Sequence, residues 1–349
     1  MQKVVVNSEN VSQVMDNIKR GNYKFYQFYN LEIEPGEFGF IDYMLKYKDS
    51  SSSKLLNKTY YDIETYVPET GEFTDPLDVN YPINSIAFYN NVLNIVYAVA
   101  YVTDCDLKDP TIIKESVIQL YNEKCQENEI YKIDGLQIEV LICDNEQEML
   151  KTFFSKLREL NTLFLIGFNS RNFDDPYIFN RTGKIFGEEE MKTIVSDFGK
   201  VDRYGDYNFE LPDYKLADLL LMYKPVGEGG NGLGKSLPNY KLNTVAKKEL
   251  DVTKLDLDGG FRHNYLHNIV GYLTYNIFDV LLTYKLDEKL MFMELNFDLS
   301  KYNNSTMGAT LGGRSILYMY RNDLMYAKNN QIIRSKKFSR EVLYETKTV

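Results

Sequence analysis

The stretch "KTYYDIETYVPETGEF", Lys58 to Phe73, constrains the fold more than any other part of the chain. Its tyrosines, isoleucine and valine have the character of a β-strand bound for a core, yet Asp62 and Glu64 interrupt it one residue apart. Residues i and i+2 of a strand project to the same face, so the two carboxylates stand side by side. Adjacent anions repel unless water or a cation separates them. The strand is therefore either an exposed edge with solvated acids or half of a metal site, and the pair alone does not choose.

Further strand-like runs follow: "INSIAFYN" and "NIVYAVAYV", whose short polar gap predicts a hairpin, and "TLFLIGFN", which reads as a buried strand. "EQEMLKTFFSKLREL" has helical apolar spacing. "NIVGYLTYNIFDVLLTYKLDEKLMFMEL" predicts one long helix with a bend, or two in succession. Strands alternating with helices indicate an α/β fold with a mixed sheet. "KVDRYGDYNFELPD" predicts a tight hairpin closed by a two-residue Gly205-Asp206 turn. "KDSSSSK" reads as a linker between this region and an N-terminal stretch of short β-like runs.

Composition narrows the class without choosing the chemistry. The 349 residues are 44% hydrophobic, enough for a sizeable core, and no apolar run approaches a membrane span. The N-terminus lacks a hydrophobic signal core. Cys105, Cys125 and Cys143 have no CxxC spacing, which argues against a disulfide framework or a zinc knuckle and fits a reducing cytoplasm. Net charge is −10, although the segment from Arg314 onward carries eight basic residues against three acidic ones. Such an end is either a solvated surface or a contact for phosphates or an acidic partner. An acidic body remains compatible with nucleic acid where divalent cations mediate the contact.

Two more acidic features come later in the chain. In "GFNSRNFDDPYIFNR", Asn169 and Phe173-Asp174 follow directly on the strand "TLFLIG", where a rigid element gives way to a loop; either Asn169 or Asp174 could equally cap the next helix. In "LTYNIFDVLL", Tyr275 and Asp279 lie at i and i+4 of a helix, on one face and a turn apart. An Asp among Ile277, Phe278, Val280 and Leu281 is costly to bury unless something pairs with it. Asp62, Glu64, Asp174 and Asp279 together make a cluster that is unstable without cations. With two divalent ions, Mg²⁺ or Mn²⁺, it becomes apparatus for hydrolysing a phosphodiester, and Tyr275 could orient the attacking water.

The order Asp-x-Glu, Asn-x3-Phe-Asp, Tyr-x3-Asp resembles the three motifs of the DEDDy 3′–5′ exonucleases. The resemblance is closer to the proofreading domain of family B DNA polymerases of the T-even phage type. "YYDIETYVPETGEFTDPLDVNYPINSIAFYN", "GFNSRNFDDPYI" and "YKLNTVAKKELDVTKLDLDG…YNIFDV" follow that pattern over roughly Lys58 to Leu295, and Met1–Asp49 follows it much less. The resemblance implies a ribonuclease-H-like mixed sheet flanked by helices, with a small α+β N-terminal domain. It implies that Asp62 bridges both metals, and that Glu64 and Asp279 help hold the ion carrying the nucleophilic water. Asp174 would serve the other ion, directly or through water. Tyr275 would orient the water, and Asn169 and Phe173 would line the path of the 3′-terminal nucleotides. "KVDRYGDYNFE" falls where the family carries a hairpin implicated in moving the primer strand.

The domain organisation implied is an N-terminal domain beginning with residues 1–56, an exonuclease domain over 57–295, and a helical return segment with a basic end over 296–349. No Asp-x-x-Ser-Leu-Tyr-Pro-Ser or Asp-Thr-Asp stretch is present, so the carboxylates of nucleotide addition are not found. The expectation is a truncated form, or a split polymerase whose palm, fingers and thumb come from a second polypeptide. The expected substrate is a single-stranded or frayed DNA 3′ end, with a sliding clamp as a possible partner, no membrane, and a cytoplasmic location, that of the host bacterium if phage-encoded. The alternatives are an assembly subunit with little activity alone, or a standalone nuclease acting on RNA. "GGNGLGKS" matches a phosphate-loop pattern, but Pro225 and Pro238 flank it where a strand and a helix are required, so Gly229–Ser236 is expected to be a loop. "RYGDYN" lacks the second Asp of a polymerase site. His263 and His267 have no third zinc ligand nearby and are expected to face solvent or cap a helix.

Overall fold

The computed structural model describes residues 56–72, 74–230, 234, 236–302, 307 and 311. The chain divides into Ser52–Glu294 and a second unit of Met1–Ser51 with Leu295–Val349. Nearly all described residues belong to the first. The expected N-terminal domain lies outside the described residues but for Leu56, as do the basic end and most of the return segment.

A six-stranded sheet organises this unit, with strand order β4-β3-β2-β1-β5-β8. Its strands are β1 (Lys58–Thr65), β2 (Ile83–Asn90), β3 (Ile95–Tyr101), β4 (Gln137–Cys143), β5 (Phe164–Gly167) and β8 (Lys215–Asp218). β1 runs antiparallel to β2 and parallel to β5, so it lies inside the sheet and not at an edge. This removes the solvated-edge explanation for Asp62 and Glu64. β2 and β3 pair antiparallel as the expected hairpin, while β3–β4 and β5–β8 are parallel. The mixed sheet flanked by helices is the ribonuclease-H-like arrangement.

Alternation along β1 decides which face meets which helix. Tyr61 and Ile63 join a core with Phe88, Ile86 and Val99, packed against α2 (Glu146–Glu159) and α3 (Asp174–Phe186). In α2, the buried residues Met149, Leu150, Phe153, Phe154 and Leu157 recur at helical spacing, and Phe153 meets the rings of Phe88 and Tyr61. Each such side chain contributes about 1.5–3 kcal/mol by leaving water. Asn145 caps α2 by accepting from the Glu148 amide, and the Glu148 carboxylate accepts in return from the Asp144 amide at 2.7 Å. The opposite face of β1, with Tyr60, Asp62 and Glu64, meets α8 (Ile269–Leu290), which also packs on α1 (Pro110–Glu127). Covered on two sides, α8 is apolar nearly all round, and Phe278 lies among the rings of Tyr121 and Tyr131.

The long apolar stretch resolves into two helices in succession, α8 and α9 (Phe292–Tyr302), broken at Met291 with φ 54°. Between β5 and β8 lie α3, α4 (Glu188–Val195) and the expected hairpin, β6 (Asp202–Tyr204) with β7 (Asn208–Glu210). Its turn corrects the expectation. Tyr204 pairs with Asn208, so Gly205, Asp206 and Tyr207 form a three-residue loop. Gly205 takes φ +65°, and the Asn208 side-chain NH₂ closes the wider loop by donating to the Tyr204 carbonyl at 3.2 Å.

After β8 come α5 (Leu219–Tyr223), α6 (Leu242–Leu250) and α7 (Gly260–His267). The described parts of Gly229–Ser236 thus follow a helix, and the next helix begins only at Leu242, which is not phosphate-loop architecture. His267 is exposed on α7, its ring nitrogen 2.8 Å from Asp106. No helix among the described residues is long and apolar enough to cross a membrane.

Candidate metal centre

The fold brings Asp62, Glu64 and Asp279 together, with a carboxylate oxygen of each within 4.8 Å of the others. β1 supplies the first two, half-buried and on one face, and α8 supplies Asp279, which is buried. Asp174 stands beside this group without joining it. It is buried in the first turn of α3 and accepts from the Ile63 amide at 3.3 Å, between the two acids of β1.

Burial raises all four acids, and the charge of neighbouring carboxylates adds to it at Asp62, Glu64 and Asp174. Asp62 rises from 3.8 to about 7 through burial and then Asp279, against the opposing pull of Lys254 and Asn276. Glu64 lies well above the usual carboxylate range through burial, Asp62 and Asp279. Asp174 is raised by burial and Asp62, and Asp279 by burial with Lys254 opposing. A site that resists ionisation this strongly stores electrostatic repulsion that a divalent cation would relieve.

Tyr275 lies one turn before Asp279, nearly buried, with the exposed ring of Phe261 edge-on at 5.6 Å. Burial and then the charge of Asp279 hold its phenol above its ordinary value, so it stays protonated. Asn169 and Phe173 bracket a short 3-10 turn, Ser170–Asn172, between β5 and α3. Asn169 adopts the left-handed conformation at φ 65°, and Phe173, half-buried, stacks on Tyr177 at 5.5 Å.

Several residues that hold the site are ones that sequence patterns did not single out. The ammonium of Lys254 lies 2.5 Å from Asp279 and over the ring of Tyr275 at 4.9 Å. Burial would depress it, yet the charge of Asp279 and the hydrogen bond to it carry it above the ordinary lysine value. Asn276, next to Tyr275 in sequence, donates to Asp62 at 2.8 Å. Asp218, at the end of β8, accepts from the amides of Asn169 (2.9 Å), Arg171 (3.2 Å) and Leu220 (2.9 Å). It thereby caps α5 and staples the Asn169 turn. Asp175, behind Asp174, accepts from the Tyr61 phenol and from Ser170. Asn276 and Asp175 each lie beside a motif residue, Tyr275 and Asp174 respectively, and Lys254 falls within a stretch that follows the family pattern, but none of the three is marked by its own spacing.

The donor set fits a hard divalent cation. All its atoms are carboxylate oxygens, with no thiolate or imidazole among them. Among the described residues Lys254 is the one cation paired with the group, a single ammonium against three carboxyls. One oxygen of Asp279 is buried with no hydrogen-bond partner, an orphan that a cation would satisfy.

The family described as DNA polymerase family B, exonuclease domain, matches residues 46–215. That stretch includes Asp62, Glu64, Asn169, Phe173 and Asp174, while Lys254, Tyr275 and Asp279 lie beyond it. The DNA-directed DNA polymerase of Escherichia phage RB69 is 28% identical over 271 residues, covering 75% of this chain and 28% of that protein. The DNA-directed DNA polymerase of Enterobacteria phage T4 is 27% identical over 276 residues, covering 71% of this chain and 27% of that protein. DNA polymerase 1 of Sulfolobus acidocaldarius is 26% identical over 234 residues, covering 66% and 22%. The chain thus spans about a quarter of the length of these relatives. Residues 46–215 thus match the exonuclease domain of the family B DNA polymerases, and the chain resembles the T4-type phage members.

Proposed function

We propose that this protein removes nucleotides from DNA 3′ ends by hydrolysing the terminal phosphodiester, releasing 5′-mononucleotides in the service of proofreading. The observation that carries the reading is the cluster of Asp62, Glu64 and Asp279, with its orphaned Asp279 oxygen, in a chain whose residues 46–215 match a polymerase exonuclease domain. Two divalent ions, Mg²⁺ or Mn²⁺, would supply Lewis acidity to the entering and leaving oxygens. Asp62, Glu64, Asp279 and Asp174 would hold them. Tyr275, kept protonated beside Asp279, would orient a water toward the phosphorus through its hydroxyl. Asn169 and Phe173 would line the path of the last nucleotides, Phe173 offering a ring already stacked on Tyr177.

Single-stranded or frayed ends are the substrate, because the terminal phosphodiester must reach the carboxylates unpaired. Residues 57–295 form the exonuclease domain in this reading, with 1–56 and 296–349 contributing a second domain. The remainder of a family B polymerase and a sliding clamp are the proposed partners, in the cytoplasm of a host bacterium if the chain is phage-encoded. The test is the double variant Asp62→Ala with Glu64→Ala. It should keep its circular dichroism and lose digestion of 3′-labelled single-stranded DNA, whereas digestion at the wild-type rate would overturn the assignment.

A further inference from the structure

The carboxylate of Asp62 is held by a chain of two hydrogen bonds, the first part-buried and the second buried, that the reaction does not itself require. The Asn276 amide donates to Asp62 Oδ2 at 2.8 Å, and the Ser85 hydroxyl donates to Asn276 Oδ1 at 2.9 Å. Ser85 and Asn276 are fully buried. The relay crosses the elements that carry the acids. Ser85 lies opposite Glu64 in the β1–β2 register, and Asn276 shares α8 with Asp279.

The two bonds are mutually consistent. An amide side chain can present either its NH₂ or its carbonyl to a neighbour, whereas an ionised carboxylate only accepts. Asp62 therefore takes the Asn276 NH₂, and the Ser85 hydroxyl, free to donate, holds the Asn276 carbonyl on the other side. The NH₂ in turn fixes the torsion of the Asp62 carboxylate, which would otherwise swing away from Glu64 and Asp279 under their repulsion. A neutral donor suits this task. Lys254, the other group bonded into the cluster, brings a positive charge that opposes a cation, while the Asn276 amide orients a ligand without that opposition.

We propose that Asn276, oriented by Ser85, is a positioning residue for the cation site, holding Asp62 where it shares a divalent ion with Glu64 and Asp279. The inference rests on the functional reading above.

The test is Mn²⁺ binding to the full chain, read as free Mn²⁺ by electron paramagnetic resonance, for wild type, Asn276→Ala, Ser85→Ala and the double variant. Asn276→Ala should weaken Mn²⁺ about 10–100-fold, the range for ligand-orienting partners. Ser85→Ala should weaken it less, and the double variant should be no worse than Asn276→Ala alone, because Ser85 acts only through Asn276. In exonuclease assays the loss should appear in the Mn²⁺ concentration needed for half-activity and be recovered at saturating Mn²⁺. Should Asn276→Ala fail to fold, Ser85→Ala carries the same test with a smaller expected shift. Wild-type Mn²⁺ affinity in whichever single variant folds, or additive losses in the double variant, would overturn the proposal. Asp62→Ala separates the two levels: if that variant also binds Mn²⁺ as wild type does, the metal-site reading fails and takes the relay with it.

Discussion

Replacing Asp62 with asparagine should make the metal-free protein more stable while removing its activity. The amide is nearly the size of the carboxylate, and its carbonyl oxygen can still accept from Asn276. What it removes is one charge beside Glu64 and Asp279. The rise of the Asp62 carboxyl from 3.8 to about 7 corresponds to about 4 kcal/mol working against its ionised form. Partial solvent access at Asp62 screens some of this, which leaves about 2 kcal/mol to recover. The sign follows from proton binding. Between pH 3.8 and about 7 the native carboxyl holds a proton that the unfolded chain has lost, so wild-type stability falls as pH rises through that window. In EDTA at pH 8, the Asp62→Asn protein should therefore melt about 4–8 °C above wild type, and the lead should shrink toward pH 5. Saturating Mn²⁺ should reverse the order. Wild type gains about 2.7 kcal/mol at a hundredfold excess over Kd, and the variant, with a ligand lost, gains less. Differential scanning fluorimetry across both pH values, with and without Mn²⁺, reads all four conditions. A variant that melts below wild type in EDTA at pH 8, or keeps its lead in Mn²⁺, would refute the reasoning.

Two other predictions rest on the same site. Lys254→Met leaves Asp279 without its partner at 2.5 Å, so the metal-free protein should lose about 3–5 kcal/mol, and Mn²⁺ should restore more of its melting temperature than it adds to wild type; equal gains in both would count against a charge-balancing role. Shortening the hairpin tip Tyr204–Tyr207 should slow digestion of paired ends more than of single strands, and an equal effect on matched oligomers would remove the hairpin from strand handling.

The parts of the fold legible in sequence are those whose cause is local. The alternation of Tyr61 and Ile63 against Asp62 and Glu64 marks a two-faced strand, and the spacing of Met149, Phe153 and Leu157 marks a helix. The strand's interior position is not local, since it depends on β5 arriving from beyond Leu163 to pair alongside it. The site divides in the same way. Asp62 and Glu64 announce themselves through the incongruity of paired acids in an apolar run, and Asp279 through its apolar neighbours on α8. Lys254 gives no such signal, being one of 40 lysines and arginines in a chain region without periodic pattern. Asp218 reads as an ordinary helix cap, and its second task, holding amides 49 residues earlier in the chain, becomes visible only when β5 and β8 lie side by side. The three-residue hairpin loop escaped for a related reason, because Gly205-Asp206 suits either turn length and pairing of Tyr204 with Asn208 selects one.

The staple made by Asp218 also bears on how this protein could be altered. The chain leaves the sheet at Gly167, travels through α3, α4 and the hairpin, and re-enters it at Lys215; β8 then ends beside Gly167 at Asp218, which bonds the very turn where the excursion began. The departing foot of the excursion is thus pinned by the strand that completes it, whatever length of chain lies between them. At its far tip, a side-chain atom built on Gly205 meets nothing within 4 Å. Grafts, affinity tags or reporter groups introduced at that tip would extend into solvent while Asn169, Phe173 and Asp174 keep their places.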